Sequence, residues 1–260
     1  MAMRIGVAIE ERAEGLVATV TVAHAAKLNI VGTAAVARLA ETFQRLSGEA
    51  LLRAVVLRGE GERAFIGGAD IVEMATLDVQ RGRAFIAGLH AAMAAIRACP
   101  VPVIARLQGW ALGGGMEIAA ACDLRVAGVG ARFGMPEVRM GIPSVIEAAL
   151  LPMLIGWGRT RRLLLTGEII DAPTALAWGF VEEVAEDVDA AIGRVVADIL
   201  AGGPLAVRPQ KALMAAWEEL TPAGAIQPGI DSFAASWASP EPGERMAAFL
   251  AAKRKPATTA

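Results

Sequence analysis

The chain is poor in the residues that most often build metal centres and cross-links, with two cysteines and two histidines in 260 residues. Cys99 and Cys122 sit in apolar contexts, at a spacing that suits neither a disulfide framework nor a metal site, so each reads as a buried free thiol. His24 and His90 form no ligand pair with each other or with the cysteines, and neither carries a catalytic assignment. No metal is expected. Long apolar runs are missing as well: Arg, Glu, Asp or Gly interrupts every candidate membrane span. There is no phosphate-binding loop, and the glycine cluster lacks the Gly-x-Gly-x-x-Gly spacing of a dinucleotide site. A formal net charge of −2, without an extended basic stripe, gives no drive towards nucleic acid or an acidic membrane. Glu10, Glu11, Arg12 and Glu14 stand where a signal sequence carries its apolar core, so the cytoplasm is the expected location.

What the chain has in excess is alanine and other apolar residues: 55% are hydrophobic, with a mean hydropathy of +0.49. That much apolar surface without a membrane span implies burial between subunits as well as within each. The length suits one large domain, or a domain with an appendage. Leu16–Val22 is β-branched and short, and reads as a strand. From about Thr33, apolar residues Val36, Leu39, Ala40, Phe43 and Leu46 recur at helical spacing. Ala54–Leu57 and Val103–Leu107 are buried strands, and Leu124–Ala127 and Phe180–Val184 are further short ones. Asp70 caps a helix, with Glu73 placed to complete a capping box. Phe85, Ile86, Leu89, Met93 and Ile96 mark another helix, bounded by Pro100 and Pro102. The five tryptophans read as fillers of cores and interfaces. Strands and helices in this succession predict an α/β fold. After about residue 186 only alanine-rich helix remains, the last of it starting at Ser239-Pro240.

Two glutamates stand beside glycine turns. Glu117 follows Gly113-Gly114-Gly115-Met116, and Glu137 follows Phe133-Gly134-Met135-Pro136. A third glycine turn, Phe65-Ile66-Gly67-Gly68-Ala69-Asp70, precedes a helical stretch. At a helix start the Gly114 amide has no intrahelical acceptor, and the macrodipole favours an anion there. Three residues on, Glu117 projects to nearly the same side. The Ala69 amide supplies a candidate second donor. Two backbone donors and two carboxyl groups suit proton transfer beside a polarised carbonyl, each donor being worth roughly 3 kcal/mol to a developing oxyanion. Taken singly, Glu117 equally suits a helix-start acid and Glu137 an exposed loop carboxylate.

The order of these segments resembles the enoyl-CoA hydratase/isomerase family, also called the crotonase family. Val55-Val56-Leu57-Arg58-Gly59 through Asp70 is similar to its first oxyanion segment, and Gly109-Trp110 through Asp123 to its second. Phe133–Glu137 is similar to its later acid-bearing segment, and the glutamates are 137 − 117 = 20 residues apart, as in hydratases that carry both acids. Leu165–Glu168, Ala175–Val181 and Ala247–Pro256 continue the resemblance, which spans about residues 5 to 256.

The resemblance implies an α/β spiral core of repeated ββα units over residues 1–195, and a helical oligomerisation region over 196–260 that builds trimers, often paired as hexamers. It implies an acyl-CoA substrate and no separate cofactor, coenzyme A being part of the substrate. Ala69 and Gly114 would form the oxyanion hole, Glu117 would activate water for attack at Cβ, and Glu137 would deliver a proton at Cα. Lys27 and Leu28, within Ala25–Asn29, resemble a CoA-contact segment. Ile66, Gly67, Gly68 and Asp70 fall near the nucleotide, and Phe249 and Lys253 resemble tail residues that reach a neighbour's CoA. Water addition to a 2-enoyl-CoA is the leading expectation; double-bond isomerisation, another acyl-CoA reaction of the family, and a non-catalytic acyl-CoA- or RNA-binding role are the alternatives. One segment departs from the pattern: Ile142–Pro152 is a residue shorter, and Val145, Ile146 and Glu147 replace its glycines. Glu147 is either a third acid near the acyl group or a solvent-facing side chain.

Overall fold

The computed structural model describes residues 3–254. Two compact units divide the chain between Leu200 and Ala201. The first opens with β1 (Arg4–Arg12) and β2 (Gly15–Ala23), antiparallel and in register from Arg4↔Ala23 to Arg12↔Gly15. After α1 (Thr33–Ser47), β3 (Leu52–Gly59) lies parallel to β2. The chain then alternates between two sheets. It runs through β4 (Ala64–Ile66), α2 (Ile71–Met74), α3 (Val79–Ala98), β5 (Val103–Leu107), β6 (Trp110–Leu112) and α4 (Gly114–Ala120). Next come β7 (Leu124–Gly128), β8 (Arg132–Gly134), α5 (Leu151–Ile155), α6 (Trp157–Thr166), β9 (Ile169–Asp171), α7 (Ala172–Trp178) and β10 (Glu183–Ala185). One sheet has the order β1-β2-β3-β5-β7-β10 and the other β4-β6-β8-β9. The pairs β3–β4, β5–β6 and β7–β8 each add one strand to each sheet, which winds the chain into the spiral that the resemblance implies.

Side-chain alternation along β3 explains the layering. Val55 and Leu57 point into the main core with Phe43 of α1 and Met93 of α3. Ala54 and Val56 point the other way, against Val188, Ile192 and Val196 of α8 (Val188–Ala201). The middle of a strand buried on both faces must be apolar, as Ala54–Leu57 is, and each large side chain so buried contributes roughly 1.5–3 kcal/mol. Two buried arginines fix the later elements to this sheet. Arg106 donates to both oxygens of Asp189 on α8, at 2.6 and 2.8 Å. Arg125 donates to the Phe180 and Cys122 carbonyls and to Glu182. The second unit holds α9 (Pro204–Trp217), α10 (Pro222–Ser236) and α11 (Glu241–Arg254). Among the described residues, no single helix is long and apolar enough to cross a membrane.

Three sequence expectations need correction, and one strand went unread. β1 is an edge strand that the charges of Glu10, Glu11 and Arg12 conceal, because an edge strand can be polar where water covers it. The strand expected at Phe180–Val184 is displaced to Glu183–Ala185, since Phe180 is a core ring set edge-on to Phe133 at 5.3 Å. None of the tryptophans is buried within the chain, so none fills its core. Asp70 does cap α2, accepting from the Val72 and Glu73 amides, but Glu73 closes no box with it. Its carboxylate reaches 40 residues back and accepts from the Thr33 amide at 3.0 Å and from the Thr33 hydroxyl, capping α1 instead. Glu73→Ala should therefore destabilise the fold by about 1 kcal/mol, the usual value of a helix cap. A melting curve unchanged from wild type would remove that role.

Candidate active site

Parallel pairing of β4, β6 and β8 lays the three glycine-marked segments side by side. Gly68 comes against the Leu112 carbonyl, and a Cβ on Gly115 would run into the carbonyl of Ile66, so only glycine permits this approach. On the outer side, Asn29 pins the neighbouring loop. Its buried amide accepts from the His24 N–H at 2.9 Å and donates to the Glu60 and Ala64 carbonyls at 3.0 and 2.8 Å. Held in that way, Leu28 accepts from the Gly67 amide, Val31 donates to Gly68, and Asp70 donates back to Val31. Val31 thus bonds to the residues on either side of Ala69, and the Ala69 amide points away from this loop. At α4, Met116 and Glu117 both donate to the Gly113 carbonyl, while Gly114 and Gly115 occupy the helix start, where amides have no intrahelical acceptor.

Both glutamates converge on this helix start. Leu112 pairs with Gly134, and Gly113 donates to the Gly134 carbonyl at 2.8 Å, which brings the turn Pro136–Met140 alongside. The Glu137 carboxylate then lies directly against Gly113, which has φ +52° and leaves no room for a Cβ. Glu137 is half-buried and accepts a hydrogen bond from the Ser144 hydroxyl at 2.9 Å. Glu117 is 3% exposed, and its Oε1 accepts from the Ala148 amide at 2.8 Å. Burial pushes its proton affinity up strongly, the Ala148 hydrogen bond opposes this, and the nearby Glu137 and Glu147 add to the rise, leaving a pKa of about 8.

Glu147 is the third acid, and it is buried rather than solvent-facing, at 6% exposed. One oxygen lies 2.9 Å from Nδ1 of His90 on α3, and the other has no hydrogen-bond partner. Burial raises its pKa, and His90 and Arg97 oppose that rise. The sequence pointed to Glu147 through its departure from pattern, but gave His90, Ser144 and Ala148 no part. Their partners are 57, 7 and 31 residues away, and the spiral creates the first and last of these pairings.

The remaining candidates fall into two groups. Lys27 is exposed, and Leu28 presents its carbonyl to Gly67. Ile66 has its side chain fully in the core, so only its backbone is available, and the Asp70 carboxylate is occupied in capping α2. Phe249 and Lys253 belong to the second unit, where the ammonium sits 4.6 Å from the ring centroid. No group of three or more metal-binding side chains occurs among the described residues. Paired carboxyl groups beside unclaimed backbone amides can hold an oxyanion and move protons at adjacent carbons.

Comparison with known proteins agrees with this geometry. Residues 12–257 match the family model described as enoyl-CoA hydratase/isomerase. The crotonyl-CoA hydratase of Syntrophomonas wolfei is 37% identical over 204 residues, covering 77% of this chain and 78% of that protein. The short-chain-enoyl-CoA hydratase of Clostridium acetobutylicum is 35% identical over 201 residues, covering 76% and 77%. The crystal structure of an enoyl-CoA hydratase from Mycobacterium smegmatis superposes with a TM-score of 0.90 at 31% identity, covering 96% of this chain and 98% of that one. With its fold, its glycine turns and residues 12–257 in agreement, the chain belongs to the enoyl-CoA hydratase/isomerase family.

Proposed function

We propose that the protein is an enoyl-CoA hydratase, which adds water reversibly across the 2,3 double bond of a 2-enoyl-CoA. The convergence of Glu117 and Glu137 on the Gly113–Gly115 turn carries this reading. The thioester oxygen sits between the Ala69 and Gly114 amides, which stabilise the enolate-like charge more in the transition state than in the bound substrate. Glu117 takes a proton from water as its oxygen attacks Cβ, and Glu137 gives a proton to Cα. In dehydration the roles reverse. Lys27, Leu28 and the backbone of Ile66–Gly68 meet the coenzyme A portion, with Asp70 holding the helix behind that turn. Phe249 and Lys253 serve the nucleotide end of a neighbouring subunit's ligand, their ring–ammonium pair offering an apolar face and a charge for a phosphate.

In either direction the two acids work with a single proton between them: one is protonated and the other ionised. Hydration and dehydration consume and release no net proton, so both start from protonation states of one composition. Glu117, whose pKa burial raises to about 8, gives up its proton as pH climbs through that value.

Incubation with a panel of 2-enoyl-CoA thioesters, following the conjugated double bond and product mass, separates the chemistries. Hydration adds the mass of one water, whereas isomerisation moves the double bond at constant mass. Glu117→Gln and Glu137→Gln should each lower hydration turnover by about two orders of magnitude or more, with CoA-ester binding retained. Near-normal turnover in either folded variant would take that residue out of the mechanism. We also propose assembly as a trimer, or a pair of trimers, through the helices of the second unit. On α10 and its C-terminal cap, Ile226, Ile230, Phe233 and Trp237 are exposed at a spacing that gathers them on one face. Light scattering should report that assembly at micromolar concentration; a stable monomer would contradict it.

A further inference from the structure

Two costly features stand next to each other in the segment that departs from the family pattern. Ile146 has φ +43°, a left-handed conformation that a β-branched side chain strongly disfavours. Glu147 buries a carboxylate with one oxygen unpartnered. Such features persist only where the surroundings over-determine them, and they concentrate where a geometry serves function. Here the next residue is Ala148, whose amide, shared with the Val145 carbonyl at 3.0 Å, reaches Glu117 at 2.8 Å. On the opposite side Glu147 is anchored by His90, which projects from α3 and is more than half exposed. A cavity of about 340 Å³ lined by His90, Arg97, Ile146, Glu147, Ala149 and Leu150 opens at this point, so the turn has little packed against its outer face.

We infer that His90 and Glu147 are positioning residues, their hydrogen bond latching the strained 145–148 turn against α3 so that the Ala148 amide is seated on Glu117. The chain of contact is continuous: α3 through His90 to Glu147, one peptide on to Ala148, and from its N–H to the Glu117 carboxylate. Without the latch, Ile146 relaxes out of the left-handed region and carries Ala148 away. Glu117 then loses the one hydrogen bond that opposes its burial, and with it a fixed orientation toward water. Glu137 and Glu147 are the charges acting on Glu117, and His90 and Arg97 those acting on Glu147, so the latch also holds a like charge at a set distance. This inference rests on the acid–base role proposed for Glu117.

His90→Leu and His90→Asn test it, because Leu and Asn share a shape and the Asn amide nitrogen takes the place of Nδ1. His90→Leu should lower kcat for hydration on the order of 10- to 100-fold with KM little changed, the scale of a misplaced catalytic group. His90→Asn should stay close to wild type. Ile146→Gly accepts the left-handed backbone without strain, so the double variant His90→Leu/Ile146→Gly should regain most of the lost kcat. Amide hydrogen exchange at Ala148 reads the seating independently of turnover, and should rise in His90→Leu alone. Because His90 is largely exposed, neither single change empties a core, and melting curves at the assay pH identify any variant lost to unfolding. Equal kcat in His90→Leu and wild type, or no recovery on adding Ile146→Gly to a folded His90→Leu enzyme, would overturn the latch. A fully active Glu117→Gln enzyme would instead remove the acid–base role, and the latch with it.

Discussion

The close approach of two backbone segments at Gly115 and Ile66 is the constraint on which the site depends. β4 and β6 pair in parallel, and only a residue without Cβ lets α4 begin against the end of β4. This contact sets the glycine turn of Gly67–Ala69 beside the helix start at Gly114. It also fixes where Glu117 emerges, one helical turn on. β8 repeats the arrangement one layer further and delivers Glu137 to the same place. A fold that adds a strand to each of two sheets with each of three successive units brings residues distant in sequence to adjacent positions, without a long loop to carry them.

The electrostatics follow from that crowding. Three carboxyl groups, on α4 and on the turns at Pro136–Met140 and Ile146–Leu150, share one small region. Glu117 is the most buried of them, with a single backbone amide to support its charge. A carboxylate in that position holds its proton far above the ordinary range, because desolvation outweighs one hydrogen bond. A group that both gives and takes a proton near neutral pH needs a proton affinity close to the working pH, and burial supplies it. Burial is costly to the fold when the group ionises, and the apolar layers around β3 and β5 offset it.

Much of this was legible in the sequence where the determining interaction is local. The Val103–Leu107 strand, the α1 stripe and the Asp70 cap depend on neighbours within a few residues, and each stands where the pattern puts it. Glu117 and Glu137 were legible because glycine turns mark them. Illegible features rest on pairings across the spiral: Glu73 with Thr33, His90 with Glu147, and Ala148 with Glu117. β1 escaped for another reason, since an edge strand facing water has no need of apolar alternation. The departure at Val145–Glu147 was visible as a loss of glycines, but the left-handed backbone at Ile146 and the burial of Glu147 were not.

The most direct test of the account is the pH dependence of kcat/KM, measured in both directions on one enoyl-CoA and its hydrated product. A site that runs on one proton shared by Glu117 and Glu137 predicts an alkaline limb that falls as Glu117 ionises, with an apparent pKa of about 8. The sign follows from the raised value: the competent form is present below that pKa and is lost as pH climbs through it. Hydration and dehydration must share the limb, because the overall equilibrium takes up no proton. A kcat/KM that instead rises through pH 8, or stays flat well beyond it, would contradict the claim that the raised proton affinity of buried Glu117 governs the site.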